Sequence, residues 1–424
     1  MDKFIIKGPS KIKGIVSCSG SKNLALPLLA ATLLFDKPVI LSNVPNVRDV
    51  RTMLNLLKLL GSKIQLSKNK KIVKISKGKK SKLFAPHSLI STMRAGILVL
   101  GPLVAKYGSA VTAFPGGCIL NGKSGRPIDL HLDALKQLGA RLELKKGYIE
   151  AKSVGKLKGS KISFKSISVG ATQQAILASV IASDTTYLYN IATEAEILEL
   201  IRFLNSAGAK IKFLGKRSVM IDGVNKLNSV SFDIMGDRIE AGTFSVLACL
   251  NQGELEVKNF NPDFIKKEIE ILRKIGAKIK VFKDKIFIKG PKDIKNIKKI
   301  VTQEAPGFPT DIAPFFSILL CRANGKSIIV ENIFQSRTMH IFELRRLGAK
   351  IDIKGNKIII YGNSKFLEAA ELTSSDLRGS AALVLAATIS KGISKIFRVY
   401  NLDRGYEKFE KKLKKIGVKV RRVK

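Results

Sequence analysis

The chain of 424 residues contains no tryptophan, only three histidines and only four cysteines. No two cysteines form a C-x-x-C pair, so neither a zinc ribbon nor a thioredoxin-like redox motif is encoded. His87, His131 and His340 are isolated, which points to surface or helix-packing roles rather than a metal cluster. Acidic residues are few: 33 Asp and Glu stand against 75 Lys and Arg, giving a formal net charge of +42. Long hydrophobic runs are also missing. The longest, near 24–35 and 95–105, are about a dozen residues, short of a membrane span. The N-terminal stretch alternates charge and apolar residues without the apolar centre of a signal peptide. A soluble, cytoplasmic protein is the expectation, with its thiols reduced.

The charge admits two readings. A polyanion or nucleic-acid binder is one. The other is drift toward lysine, since 57 of the 75 cations are Lys and they are spread along the whole chain. No aromatic-rich strand pattern of an RNA-binding sheet accompanies them, which favours drift. Against that background each arginine marks a place where a planar, bidentate donor is useful. Stability is expected to depend on salt.

A repeat is what the chain does have. Six times a helical stretch ends in a glycine followed by a short strand, at Gly61, Gly139, Gly208, Gly276, Gly348 and Gly417. The intervals are 78, 69, 68, 72 and 69 residues. Glycine just past a helix takes the left-handed conformation that caps it. One unit of about 70 residues, roughly βαβαββ, is therefore present six times.

Each unit holds one helix apolar on nearly every side and one amphipathic helix. The apolar ones are expected at 24–34, 95–105, 175–182, 244–250, 312–320 and 381–389. A helix without a polar face must be buried all round. The sixth unit lacks its return strand. Residues 2–9 (DKFIIKGP) read like residues 284–291 (DKIFIKGP), the return strand of the fourth. The N-terminus is therefore expected to complete the sixth unit. Two three-repeat domains follow: 21–232, and 1–20 with 233–424.

Polar residues gather just before the apolar helices, as in Ser21-Lys22-Asn23, Arg94, Ser168-Val169-Gly170, Asp237-Arg238, Thr310-Asp311 and Asp376-Leu377-Arg378. If these helices run parallel within each domain, six N-termini can face one cleft with free N–H groups, a site for a small, multiply charged anion. Phe114-Pro115-Gly116-Gly117-Cys118 interrupts the second repeat. Its glycines read as a flexible loop presenting the thiol. Cys249 and Cys321 read as inert core residues and Cys18 as ambiguous.

Taken in order, Ser21-Lys22-Asn23, Arg94, the PGGC run ending at Cys118, RPIDLH (126–131), SVGAT (168–172), DRIEAGTF (237–244), FPTD (308–311), Arg337, DLR (376–378) and DRGYE (403–407) resemble the enolpyruvyl transferases, specifically the branch acting on UDP-N-acetylglucosamine. The spacing from Cys118 to Arg126 is eight residues, longer than usual there, and Ser166 replaces a lysine of that branch.

The resemblance implies an α/β fold of two inside-out α/β barrels. It implies transfer of the enolpyruvyl group of phosphoenolpyruvate to the 3′-hydroxyl of UDP-N-acetylglucosamine, the first committed step of peptidoglycan precursor synthesis, without a cofactor or metal. Cys118 would be the acid toward phosphoenolpyruvate and the target of fosfomycin, and Asp311 would take the sugar hydroxyl's proton. Lys22, Asn23, Arg94, Arg337, Arg378 and Arg404 would hold phosphoenolpyruvate and phosphate, with Lys22 and Arg404 also catalytic. The nucleotide sugar would contact Asn23, Arg94, Arg126, Pro127, Ile128, Asp129, Leu130, Ser168, Val169, Gly170, Asp311 and Ile333. A monomer with no membrane or specific nucleic-acid partner is expected. The alternatives are 3-phosphoshikimate as acceptor class, a non-catalytic polyanion binder on the same fold, or a decayed copy.

Overall fold

The computed structural model describes residues 2–79, 82–116, 128–363 and 367–423. Its backbone forms six four-stranded sheets, one per repeat. Within each sheet two strands run parallel and the remaining pairings are antiparallel. In the third repeat, for example, Lys161–Ser163 is parallel to Thr185–Tyr189, which pairs with Ser218–Asp222, which pairs with Lys210–Gly215.

The six glycines behave alike. All have positive φ, from 86° at Gly348 to 106° at Gly276. The next residue's N–H reaches back to a carbonyl five positions earlier in every case: Ser62 to Leu57, Ala140 to Leu135, Ala209 to Leu204, Ala277 to Leu272, Ala349 to Leu344 and Val418 to Leu413. This is the Schellman closure, which a side chain at the glycine would strain.

The N-terminal strand Lys3–Gly8 lies between Gly392–Phe397 and Lys419–Val423, antiparallel to both. It occupies the return-strand position of the sixth sheet and buries Phe4 and Ile6. Lys13–Ser17 is the parallel neighbour of Glu254–Lys258 in the fourth sheet. The first sheet takes its parallel strand, Val230–Asp233, from the end of the third repeat.

These pairings divide the chain into two compact units, residues 2–19 with 236–423, and residues 20–116 with 128–235. The divisions fall at 19/20 and 235/236 instead of 20/21 and 232/233. Val230–Asp233 continues into Ile234 and Met235, which stay bonded to the first repeat through Ser42, Asn43 and Ser21.

Each unit has apolar helices at its centre and sheets outside. In one, Arg238–Leu250, Ala313–Cys321 and Leu377–Ile389 pack on one another. Every residue of Arg238–Leu250 and Leu377–Ile389 is buried. In the other, Lys22–Ala31, Leu100–Tyr107 and Val169–Ser179 fill the same role. Truncating a leucine such as Leu383 to alanine in such a core costs about 2–5 kcal/mol.

Four of these helices begin earlier than their apolar runs. Lys22, Val169, Arg238 and Leu377 start them, because Ser21, Ser168, Asp237 and Asp376 provide side-chain caps upstream. The second repeat opens as a 3-10 helix over Arg94–Val99 before turning α at Leu100. Pro102 sits in the first α turn, where its missing N–H is tolerated.

Candidate active site

In the unit containing residues 236–423, Asp311 is the focus. It precedes Ala313–Cys321 and is partly exposed. Arg337 Nη1 donates to its Oδ1 at 3.1 Å and Arg378 Nε to the same oxygen at 3.3 Å. Both guanidinium side chains are nearly withdrawn from water, at 4% and 7% exposure. Burial alone would pull the pKa of Arg378 down; Asp311 leads the neighbouring charges that hold it above its ordinary value instead.

Ring faces support the two arginines. Arg337 stands 4.9 Å from the centre of the Phe334 ring and Arg378 5.8 Å from that of Tyr406. Burial pushes Tyr406 up to about 12, so it is a neutral phenol, hydrogen-bonded with Thr243 Oγ1 at 2.8 Å. Arg378 is placed by its helix cap, since Asp376 Oδ1 accepts from the N–H groups of Arg378 and Gly379 at 3.0 Å.

Arg404 ends the 3-10 helix Val399–Arg404 and is half-buried. Its neighbour Asp403 is bound by Arg422, which also pairs with Asp2. Ile333 is half-buried, its N–H donating to Glu331 Oε1 at 2.9 Å.

In the unit of residues 20–116 and 128–235, Lys22 opens the first apolar helix under the Ser21 cap. Its Nζ lies 3.2 Å from Asp49 Oδ2, a buried pair. Asn23 beside it is half-buried. Arg94 is half-buried at the start of its 3-10 helix and acts on His131, which burial first and Arg94 second push down to about 3. The imidazole is therefore neutral throughout the working pH range.

Gly170 is required by this histidine: a Cβ there would stand 2.5 Å from His131 Nε2. Ser168 caps the same helix, accepting from Ala171 N, and Val169 and Gly170 form its first turn, half-buried. Ile128 is buried, Asp129 exposed and Leu130 half-buried where Asp129–Gln137 begins.

Cys118, Arg126 and Pro127 lie outside the described residues. At Gly116 the glycine does more than lend flexibility. A Cβ on Gly116 would fall 1.6 Å from the Ser91 carbonyl oxygen, and its N–H donates to Ile90 O at 3.2 Å. Glycine is demanded there by close backbone approach.

The expectation of six helix starts with free N–H groups is also corrected. Ser21, Ser168, Asp237 and Asp376 each satisfy one or two of those donors with their own side chains.

The other cysteines are inert. Cys249 and Cys321 are buried, with burial raising the first well above its usual value and the second to about 12. Cys18 joins them, buried and pushed up by burial and then Glu240. Among the described residues no group of three or more His, Cys, Asp or Glu could hold a metal ion.

Two residues of this chemistry carry no signal in the sequence. Asp49 sits in the first turn of the amphipathic helix Arg48–Leu59, where any acidic residue is favourable. Glu331 follows an ordinary strand. Only the fold brings them to Lys22 and to Thr310.

The profile of the family described as EPSP synthase (3-phosphoshikimate 1-carboxyvinyltransferase) matches residues 6–413. A UDP-N-acetylglucosamine 1-carboxyvinyltransferase of Pelagibacter ubique (strain HTCC1062) is 50% identical over 423 residues, covering all of both chains. One of Yersinia pestis (strain Pestoides F) is 42% identical over 428 residues, again covering both. The solved structure of the enolpyruvyl transferase NikO from Streptomyces tendae superposes with a TM-score of 0.89 at 20% identity, covering 100% of this chain and 99% of that one, which speaks to the fold. By full-length similarity and shared fold, the chain belongs to the EPSP synthase family of enolpyruvyl transferases, on the branch of the UDP-N-acetylglucosamine 1-carboxyvinyltransferases.

Proposed function

We infer that the chain transfers the enolpyruvyl group of phosphoenolpyruvate to the 3′-hydroxyl of UDP-N-acetylglucosamine and releases phosphate. The observation that carries this is the full-length, 50% identity to an enzyme named for that transfer. In the reaction the hydroxyl oxygen attacks C2 of phosphoenolpyruvate while C3 gains a proton. The resulting tetrahedral ketal then loses that C3 proton's equivalent and phosphate, regenerating the double bond in the enolpyruvyl ether.

Asp311 takes the hydroxyl proton. Arg337 and Arg378 both donate to its Oδ1 and hold the carboxylate in place. Cys118 delivers the proton to C3 and is the residue that fosfomycin alkylates. Lys22, Asn23, Arg94, Arg337, Arg378 and Arg404 bind the carboxylate and phosphate and stabilise charge on the ketal. Arg126, Pro127, Ile128, Asp129, Leu130, Ser168, Val169, Gly170 and Ile333 contact the nucleotide sugar, together with Asn23, Arg94 and Asp311.

The product enters peptidoglycan precursor synthesis. We place the chain in the cytoplasm as a monomer. Among the described residues no helix is long and apolar enough to cross a membrane.

The family's own description favours a second acceptor, shikimate 3-phosphate. Phosphate release from phosphoenolpyruvate separates the two. Release that requires UDP-N-acetylglucosamine supports the first reading. Release only with shikimate 3-phosphate replaces it, and release with neither leaves the fold without this activity.

A further inference from the structure

Glu331 follows the strand Gly325–Val330 and is buried, with 2% of its surface exposed. Among the described residues no Lys or Arg forms a salt bridge with it. Its two oxygens divide their partners. Oε1 accepts from Thr302 Oγ1, Ile333 N and Phe334 N, each at 2.9 Å. Oε2 accepts from Thr310 Oγ1 at 2.8 Å.

Thr310 continues the chain of contacts. Its oxygen accepts from Arg337 Nη1 at 3.0 Å, and the same Nη1 reaches Asp311 Oδ1 at 3.1 Å. A threonine hydroxyl has one proton. Once that proton points at Glu331 Oε2, only lone pairs face Arg337.

A neutral glutamine oxygen could hold the three Oε1 donors just as well. Glutamate in place of glutamine brings a second acceptor oxygen into the interior, and a buried acceptor needs its own donor. Its contact is Thr310, the residue before Asp311. We propose that Glu331 is a positioning residue for the transfer: by fixing the direction of the Thr310 hydroxyl it holds Arg337 on Asp311. This role rests on the enolpyruvyl-transfer reading.

Glu331→Gln isolates the second oxygen. The amide oxygen must stay on the three Oε1 donors, because turning the amide over would set its N–H groups against them. The amide nitrogen then faces Thr310 and competes with Arg337 for its lone pairs. Ile333 and Phe334 keep their acceptor.

Phosphate release by the full chain tests this, with kcat and KM measured separately. E331Q is expected to lower kcat about 10-fold, with KM for UDP-N-acetylglucosamine within about 2-fold, the signature of misplaced rather than lost groups. T310V is expected to lose a similar factor, and T310S, which keeps the hydroxyl, to turn over like the unaltered chain. The double variant E331Q/T310V should be no slower than the slower single, because both break one path.

A wild-type kcat in E331Q overturns the role. So do losses that multiply in the double variant, or a KM that rises with kcat unchanged. If the unaltered chain releases no phosphate with UDP-N-acetylglucosamine, the transfer reading falls and this role with it.

Discussion

Arg378 Nε and Asp311 Oδ1 are 3.3 Å apart, although 66 residues lie between them in the sequence. Arg378 lies in the first turn of one buried helix and Asp311 precedes another. The packing of Ala313–Cys321 against Leu377–Ile389 brings them together. Two buried guanidiniums thereby converge on one oxygen of a partly exposed carboxylate.

Asp311→Asn keeps the size of the side chain and removes the proposed base. Turnover is expected to fall by about 10²–10⁴-fold in a phosphate-release assay. The alanine variant should also melt lower, because it takes the shared carboxylate away from two buried arginines. Near-normal turnover in Asp311→Asn would remove this residue from the mechanism.

Cys118→Asp replaces a thiol acid with a carboxylic acid. The variant is expected to keep measurable turnover and to resist fosfomycin. Incubation with the drug followed by activity measurement checks this. Time-dependent inactivation of the variant would show that the drug reacts elsewhere.

Glu268 sits on the buried face of Lys266–Lys274. Burial raises its pKa from 4.5 to about 7, against a smaller lowering by Arg238. The folded chain therefore holds a proton here that the unfolded chain releases. Stability from this group is complete below about pH 4.5 and is lost as pH rises through about 7. Glu268→Gln mimics the protonated form. It should match the unaltered chain at pH 4.5 and exceed it at pH 8 by on the order of 2–3 kcal/mol. Melting temperatures at both pH values decide; a difference independent of pH would contradict the assignment.

His131 has the opposite sign. Its folded pKa is pushed from 6.5 down to about 3 by burial and then Arg94. The unfolded chain takes up a proton below pH 6.5 that the folded chain refuses, so stability falls as pH drops through that window. His340, lowered to about 4 chiefly by burial, adds in the same direction. Between pH 7 and pH 5 the His131 contribution is on the order of 2 kcal/mol. His131→Gln should lose less stability over that interval than the unaltered chain, whatever its stability at pH 7. Parallel denaturation curves at both pH values would rule this out.

The repeat was legible because its signals are local. A glycine that must adopt positive φ announces each helix end, and a helix with no polar face announces burial. The return strand at residues 3–8 could be matched to its counterpart at 285–289 from residue pattern alone. The helix starts were less legible. Arg238, Glu240, Gln173, Gln174 and Arg378 lie inside buried helices, where an apolar pattern does not look for them.

The sequence by itself determined the six-unit plan, the family and the residue types available for chemistry. These follow from short-range conformational preferences and from motifs read in order. Tertiary structure decided which side chains meet. Lys22 with Asp49, Arg94 with His131, Arg378 with Asp311 and Glu331 with Thr310 are pairings across separate elements. Burial then set the protonation of Glu268, His131 and Tyr406. Ionisation depends on the dielectric and the partners that packing supplies, and neither is written in the local sequence.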